Sequence, residues 1–154
     1  MAQKSDEYYM QEALIEAKKA AQRDEVPIGA VVVNPQNGEI IARQSNRTIE
    51  LSDPSAHAEI LAIRDACSQA GAQRIPQFDL YVTLEPCTMC AGAISFARIR
   101  RLVFGATDTK GGAVTSGVRF FEKETCHHKI KVIDGILADE CAKILKDYFK
   151  SKRT

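Results

Sequence analysis

The chain has 154 residues, 45% of them apolar and 27% charged, with 21 Lys and Arg against 20 Asp and Glu for a formal net charge of +1. That balance describes one soluble domain over residues 1–154 with enough apolar content for a real core. It excludes a membrane span, which needs an apolar run of ~18 residues, and a uniformly basic nucleic-acid binder, while leaving room for a local basic patch. The N-terminus is polar and lacks the apolar centre of a secretory signal. Five cysteines, an odd number, argue against a complete disulfide framework. Reduced thiols in a bacterial-type cytoplasm, with no disulfide-linked partner, are expected instead.

Ser5 is placed to cap a helix whose first turn carries Asp6 and Glu7. Met10, Ala13, Leu14, Ala17 and Ala21 follow at helical spacing and read as a core stripe. Val26 to Val33 predicts a buried strand with Pro27 near its start. Asn34-Pro35-Gln36-Asn37-Gly38 is a turn and Glu39 to Gln44 a second strand, so the two predict a hairpin. Residues 45–52 are polar and irregular. A second helix should run to about Gln69, with Gly71 as its stop and Ile60, Ile63 and Cys67 at helical spacing.

Leu80 to Thr83 predicts a third strand, leading through Pro86 into a third helix that ends near Phe96. Arg101 to Gly105 is a fourth strand. Gly105 to Gly117 is rich in Gly and Thr and reads as a functional loop. Residues 118–128 suggest a short helix, Lys129 to Ile133 a fifth strand and Asp134-Gly135 a turn. Leu137, Cys141, Ile144, Leu145 and Tyr148 mark the last helix, and Lys150 to Arg153 is a basic end expected to fray. A hairpin followed by strand–helix alternation predicts the α/β class: a three-layer α/β/α sandwich around a five-stranded mixed sheet.

The chemistry concentrates in Glu85-Pro86-Cys87-Thr88-Met89-Cys90. Proline suits the first position of a helix, where its missing N–H is not needed. Cys87 and Cys90 would then lie in the first turn, where unpaired N–H groups and the helix dipole favour thiolate, the metal-binding form. Two thiolates are half of a tetrahedral zinc site. The natural third ligand is His57, in Asp53-Pro54-Ser55-Ala56-His57-Ala58-Glu59. In mid-helix, His57 and Glu59 would point to nearly opposite sides. At a helix start both can reach past the helix end toward one point.

Three protein ligands leave a tetrahedral zinc one open position for water. Two thiolates cancel the charge of the dication, so the metal is a weaker electrophile and a nearby base should help to deprotonate the water. Glu59 is the carboxylate at the right spacing. It is expected to shuttle protons during hydrolytic deamination of an aromatic amidine.

A Cys-x-x-Cys pair is also compatible with redox chemistry or a closed structural zinc. Redox leaves His57 and Glu59 unexplained. A closed site needs a fourth ligand, and Cys67, Cys126, Cys141, His127 and His128 lack finger-like spacing. Cys67 and Cys141 read as core cysteines, and Cys126-His127-His128 looks metal-like only in isolation.

His-x-Glu followed by Pro-Cys-x-x-Cys is the signature of zinc-dependent nucleobase deaminases. Over nearly its whole length the chain resembles the bacterial tRNA-specific adenosine deaminases. The matching stretches are Glu25 to Val31, Asn46-Arg47, Asp53 to Ile60, Leu80 to Gly92, Val103 to Ala106, Asp108 with Lys110, and Gly135 to Cys141. The resemblance implies a cytidine deaminase-like fold, one Zn2+ per subunit, a homodimer, and a tRNA anticodon stem-loop as partner. It implies conversion of wobble adenosine to inosine, in an arginine tRNA. By the same resemblance Asn46 hydrogen-bonds the flipped base, Ala58 contacts it through its backbone, and Asp108 touches the anticodon loop.

Residues alone would make Asn46 a turn former and Asp108 a loop cap. Thr115 to His127 departs from the family pattern. Arg98, Arg100, Arg101, Lys110, Lys146, Lys150, Lys152 and Arg153 are the candidates for an RNA face. Two rivals stand beside this reading: a deaminase of a free base or nucleoside such as cytosine or guanine, and a zinc-stabilised nucleic-acid-binding module without catalysis.

Overall fold

The structure is a computed structural model that describes residues 4–153. Met1 to Gln3, part of the polar N-terminus, and Thr154 lie outside the described residues. The first helix, α1 (Asp6–Gln22), begins where Ser5 accepts the Tyr8 N–H on its hydroxyl. Its buried stripe is Tyr9, Met10, Ala13, Leu14, Ala17 and Ala20; Ala21 lies at the edge of it. Then come β1 (Gly29–Asn34), β2 (Glu39–Ser45), α2 (Ala58–Ala70), β3 (Asp79–Leu84), α3 (Thr88–Ala97), β4 (Arg101–Ala106), β5 (Lys131–Ile133) and α4 (Ala138–Lys152), with one 3-10 turn at Phe120–Glu122.

The strands order β2-β1-β3-β4-β5. β1 is antiparallel to both β2 and β3, and β3, β4 and β5 run parallel. The sheet is therefore mixed and five-stranded. Strand alternation divides its side chains between two faces. Val31, Val33, Tyr81 and Val103 pack with Met10 and Leu14 of α1 and Cys141 of α4. Ala30, Val32, Leu80, Val82, Leu102 and Phe104 pack with Ala62 and Ala66 of α2 and Ile94 of α3. The result is the α/β/α sandwich, with α1 and α4 on one side and α2 and α3 on the other. Close approach of α1 depends on Gly29, where any Cβ would run into the Ala13 carbonyl.

Several boundaries differ from expectation. β1 starts at Gly29, not Val26, because Pro27 has no N–H to pair and Ile28 donates back to Val26 instead (2.8 Å). β5 is only three residues long, Lys131–Ile133, because its one partner strand, β4, begins at Arg101 opposite Lys131 and pairs with nothing before it. The basic C-terminal end is helical through Lys152, not frayed: Lys152 pairs with Asp24, and the Tyr148 hydroxyl donates to the Asp24 carbonyl (3.1 Å). Among the described residues no helix is long and apolar enough to cross a membrane.

Candidate metal centre and active site

Topology collects the site at one end of the strands. β3 runs antiparallel to β1, so its end lies beside the start of β1, where the Gly29 N–H donates to the Thr83 hydroxyl (3.2 Å). β2 runs antiparallel to β1 and also ends there, with Ser45 opposite Gly29. Chain leaving β2 enters α2 through His57, and chain leaving β3 enters α3 through Cys87. Both residues are N-caps in extended conformation, φ −77° in each case, and neither side chain caps its own helix. Both side chains turn toward each other instead.

Pro86 thus precedes the cap instead of occupying the first helical position. Cys87 sits half a turn earlier in α3 than expected, and Cys90 lies inside the first turn. The extended cap is what swings the Cys87 sulfur past the helix end.

His57 Nδ1 lies 3.7 Å from Cys87 Sγ and 3.5 Å from Cys90 Sγ. The three donor atoms all fall within 4.8 Å of one another. Zinc takes sulfur at about 2.3 Å and nitrogen at about 2.0 Å, so donors of one tetrahedron stand about 3.5 Å apart. The residues therefore fit a zinc ion. Electrostatics agree. Hydrogen bonds from Cys90 and His57 pull the Cys87 thiol down to about 3. Its bond to Cys87, together with burial, pushes the Cys90 thiol far above its ordinary value. Two thiols sharing one negative charge behave this way, and a dication at their centre is what lets both ionise.

Glu59, in the first turn of α2, is 4% exposed. Burial pushes its carboxyl up to about 7 against the opposing pull of its own backbone N–H and of His57. The neighbouring Cys90 thiol favours its ionised form.

Asn46, a turn former by residue type, is buried and bonded into α2. Its Oδ1 accepts the Ala58 N–H at 2.8 Å, and Arg23 donates to its carbonyl at 2.9 Å. Asp108 Oδ1 accepts the N–H groups of Lys110 and Gly111 (3.1 and 3.0 Å) and closes its own loop.

The other metal-like residues are engaged elsewhere. The Cys126 sulfur faces Ser95 Oγ at 3.5 Å, and His128 Nε2 lies 2.7 Å from the Ile99 carbonyl. Among the described residues the only metal-like cluster is His57, Cys87 and Cys90. Cys141 is buried in the core, whereas Cys67 is only half-buried and donates toward the Gln73 carbonyl (3.7 Å). None of the five cysteines forms a disulfide.

The expected basic face is partly committed to internal pairs. Arg100 grips buried Asp79 through two bonds (2.9 and 2.7 Å), and Arg101 bridges Asp79 and Asp6. Arg101 opens β4 and Arg100 directly precedes it, a strand length of roughly 17 Å from the metal-site end of the sheet.

Sequence reasoning missed two buried carboxylates that hold the flanking loops. Glu25, 1% exposed, accepts the N–H groups of Ile49 and Glu50 (3.2 and 2.7 Å). Glu85, 2% exposed, accepts from Asp108, Val114, Thr115 and Ser116. The available signal was each residue's position: a lone carboxylate directly beside an apolar strand.

Residues 3–106 match the family model of the cytidine and deoxycytidylate deaminase zinc-binding region. The chain is 60% identical over 146 residues to a tRNA-specific adenosine deaminase of Agrobacterium fabrum, covering 95% of each chain. It is 47% identical over 148 residues to a tRNA-specific adenosine deaminase of Bacillus subtilis, covering 96% of this chain and 91% of that one. A solved structure from work on A-to-I editing by tRNA:A34 deaminases at the wobble position of transfer RNA superposes with a TM-score of 0.86. It is 62% identical, and the match covers 90% of this chain and 99% of that one. With a zinc-fitting His57, Cys87 and Cys90 cluster inside the matched region, the chain belongs to the zinc-dependent tRNA-specific adenosine deaminase family.

Proposed function

We propose that this protein, acting as one zinc-dependent domain over residues 1–154, hydrolytically deaminates adenosine to inosine at the wobble position of a tRNA anticodon loop, with an arginine tRNA as substrate. The convergence of His57, Cys87 and Cys90 beside buried Glu59, in a chain so similar to tRNA-specific adenosine deaminases, carries this reading. His57, Cys87 and Cys90 would hold the metal, which when bound supplies the Lewis acidity that makes water readily deprotonated near neutrality.

Glu59 moves the protons. Its carboxylate takes one from the attacking water and gives it to a ring nitrogen as oxygen adds at C6 of adenine. It then carries the second water proton to the exocyclic amine, which leaves as ammonia. Asn46, its Oδ1 committed to Ala58, presents the two N–H groups of its amide as donors to acceptors on the base. Ala58 lines the same wall through its backbone, and Asp108 marks the RNA side of the loop beyond β4.

An adenine stacked in a duplex cannot reach a site walled by two helix starts, so the base must be extruded, which an unpaired loop makes easy. We infer a homodimer, supported by the exposed apolar side chains Met89 and Phe96 on α3, 40% and 77% exposed. Light scattering should give twice the chain mass at micromolar concentration, and a monomer there would remove the dimer. Five free thiols, two of them needed as ligands, support a reducing cytoplasm as the place of action.

Ammonia and inosine release should be measured with anticodon stem-loops, free adenosine, guanine and cytosine. Turnover of the arginine stem-loop far above the free compounds is expected. Equal turnover of free adenosine would overturn the RNA reading and favour a small-molecule deaminase.

A further inference from the structure

The loop beyond β4 lies outside the matched zinc-binding region, which ends at Ala106. Yet this loop is closed around a single carboxylate from inside that region. Glu85 Oε2 accepts the N–H groups of Val114, Thr115 and Ser116, each at 2.9 Å. Its Oε1 accepts the Asp108 N–H and the Ser116 hydroxyl, both at 3.0 Å. Neighbouring backbone bonds tighten the ring: Ala113 donates to Pro86 O at 2.9 Å and Gly112 to Asp108 O at 2.8 Å. Gly112 passes so close that a Cβ there would run into the Glu85 carboxyl.

We propose that Glu85 is a positioning residue for the RNA substrate: its carboxylate folds residues 107–117 into a fixed wall beside the Cys87 end of α3. Four amides aimed at one buried carboxylate make an anion nest in reverse, with the protein supplying the anion. Hydrogen bonds to an ionised acceptor are the strong kind, so the loop's shape is set before RNA arrives. Glu85 also connects two jobs within three residues. Cys87 belongs to the metal cluster, and Glu85, directly after β3, fixes the loop that carries Asp108. Metal centre and loop are thereby held in one geometry by a single rigid stretch, whose Glu85 N–H continues the pairing with β4 at Ala106 O (2.9 Å). This inference rests on the RNA reading above; a purely structural Glu85 would hold the fold together without changing how substrate is bound.

The test is Glu85→Gln. An amide keeps the size but offers one acceptor oxygen, so if that oxygen stays on the three amides, an NH2 group faces the Asp108 N–H. Zinc content should be unchanged, and amide exchange should accelerate at residues 108 and 114–116. KM for an anticodon stem-loop should rise about tenfold with kcat changed far less, the pattern of lost substrate positioning.

A folded, zinc-loaded variant with wild-type KM would overturn the proposal, as would loss of zinc, which would route the effect through Cys87. If Glu85→Gln does not fold, Ser116→Ala decides: it leaves the carboxylate and removes one donor, and should raise KM about threefold. An unchanged KM there would overturn the proposal. Absence of stem-loop turnover in the wild-type protein would sink the RNA reading, while the exchange rates of the Glu85→Gln loop would still judge the anchor.

Discussion

The side-chain oxygen of Asn46 accepts the backbone N–H of Ala58 at 2.8 Å, joining the end of β2 to the first residue of α2. An N–H can only donate, so the oxygen must face it and the NH2 group must face elsewhere. Asn46 is therefore a remote cap of the helix that carries Glu59, and its own orientation is fixed by that helix.

That geometry separates two variants. Asn46→Asp keeps the acceptor and gains from the helix N-terminus, but it buries a charge with only the Ala58 N–H on it, so its melting temperature should fall. It loses the NH2 donors, so turnover should fall. Asn46→Ala loses both functions and should also lose about 1 kcal/mol of stability, the usual cost of a missing cap. Melting curves and single-turnover assays on one stem-loop separate the effects. An Asp variant with full turnover would show that the NH2 group is unused.

Cys87→Ala should abolish stoichiometric zinc. Only two donors of the cluster would remain, and metal binding is coupled to folding of the ligand-bearing segments. Metal analysis after gel filtration checks this. Retention of one zinc per chain would mean that another residue completes the site.

Glu59→Gln should keep zinc and RNA binding and lose about 10²–10⁴-fold in turnover, the range typical of general acid–base groups. A group serving several proton transfers should fall at or above the top of that range. The substitution preserves shape while removing the ability to accept a proton. Single-turnover rates with zinc measured in parallel give the answer, and wild-type rates in a loaded variant would dismiss Glu59 from the mechanism.

At the other end of the sheet, the Tyr81 hydroxyl and the Arg101 guanidinium both donate to Asp6 (2.6 and 2.8 Å). Burial alone would raise the Asp6 carboxyl, but these bonds outweigh it and hold it below its ordinary value. A depressed carboxylate contributes stability above its unfolded pKa, and that contribution is lost as pH falls through the folded one. Asp6→Asn should therefore cost about 1–2 kcal/mol at pH 7, less whatever solvent screens at this partly exposed site. The gap between variant and wild type should close as pH falls below about 4. Urea titrations at several pH values measure it, and a gap independent of pH would contradict the assignment.

Local pattern carried much of this protein. The stripe of α1, the hairpin turn at 34–38 and the His57-x-Glu59 and Cys87-x-x-Cys90 spacings are short-range features, and each survives in the fold because apolar periodicity and ligand spacing act over a few residues. Other features depend on partners far along the chain. Pro86 looked like a first helical residue, but the need to turn Cys87 toward His57, 30 positions away, makes Cys87 the cap. Asn46 looked like a turn former until α2 supplied an N–H for it. Charge alone makes Arg100 and Arg101 candidates for an RNA face, and only the fold pairs them with Asp79 of β3. Glu25 and Glu85 read as ordinary charges, because a buried carboxylate is stable only where several amides converge on it, and only tertiary folding brings those amides together.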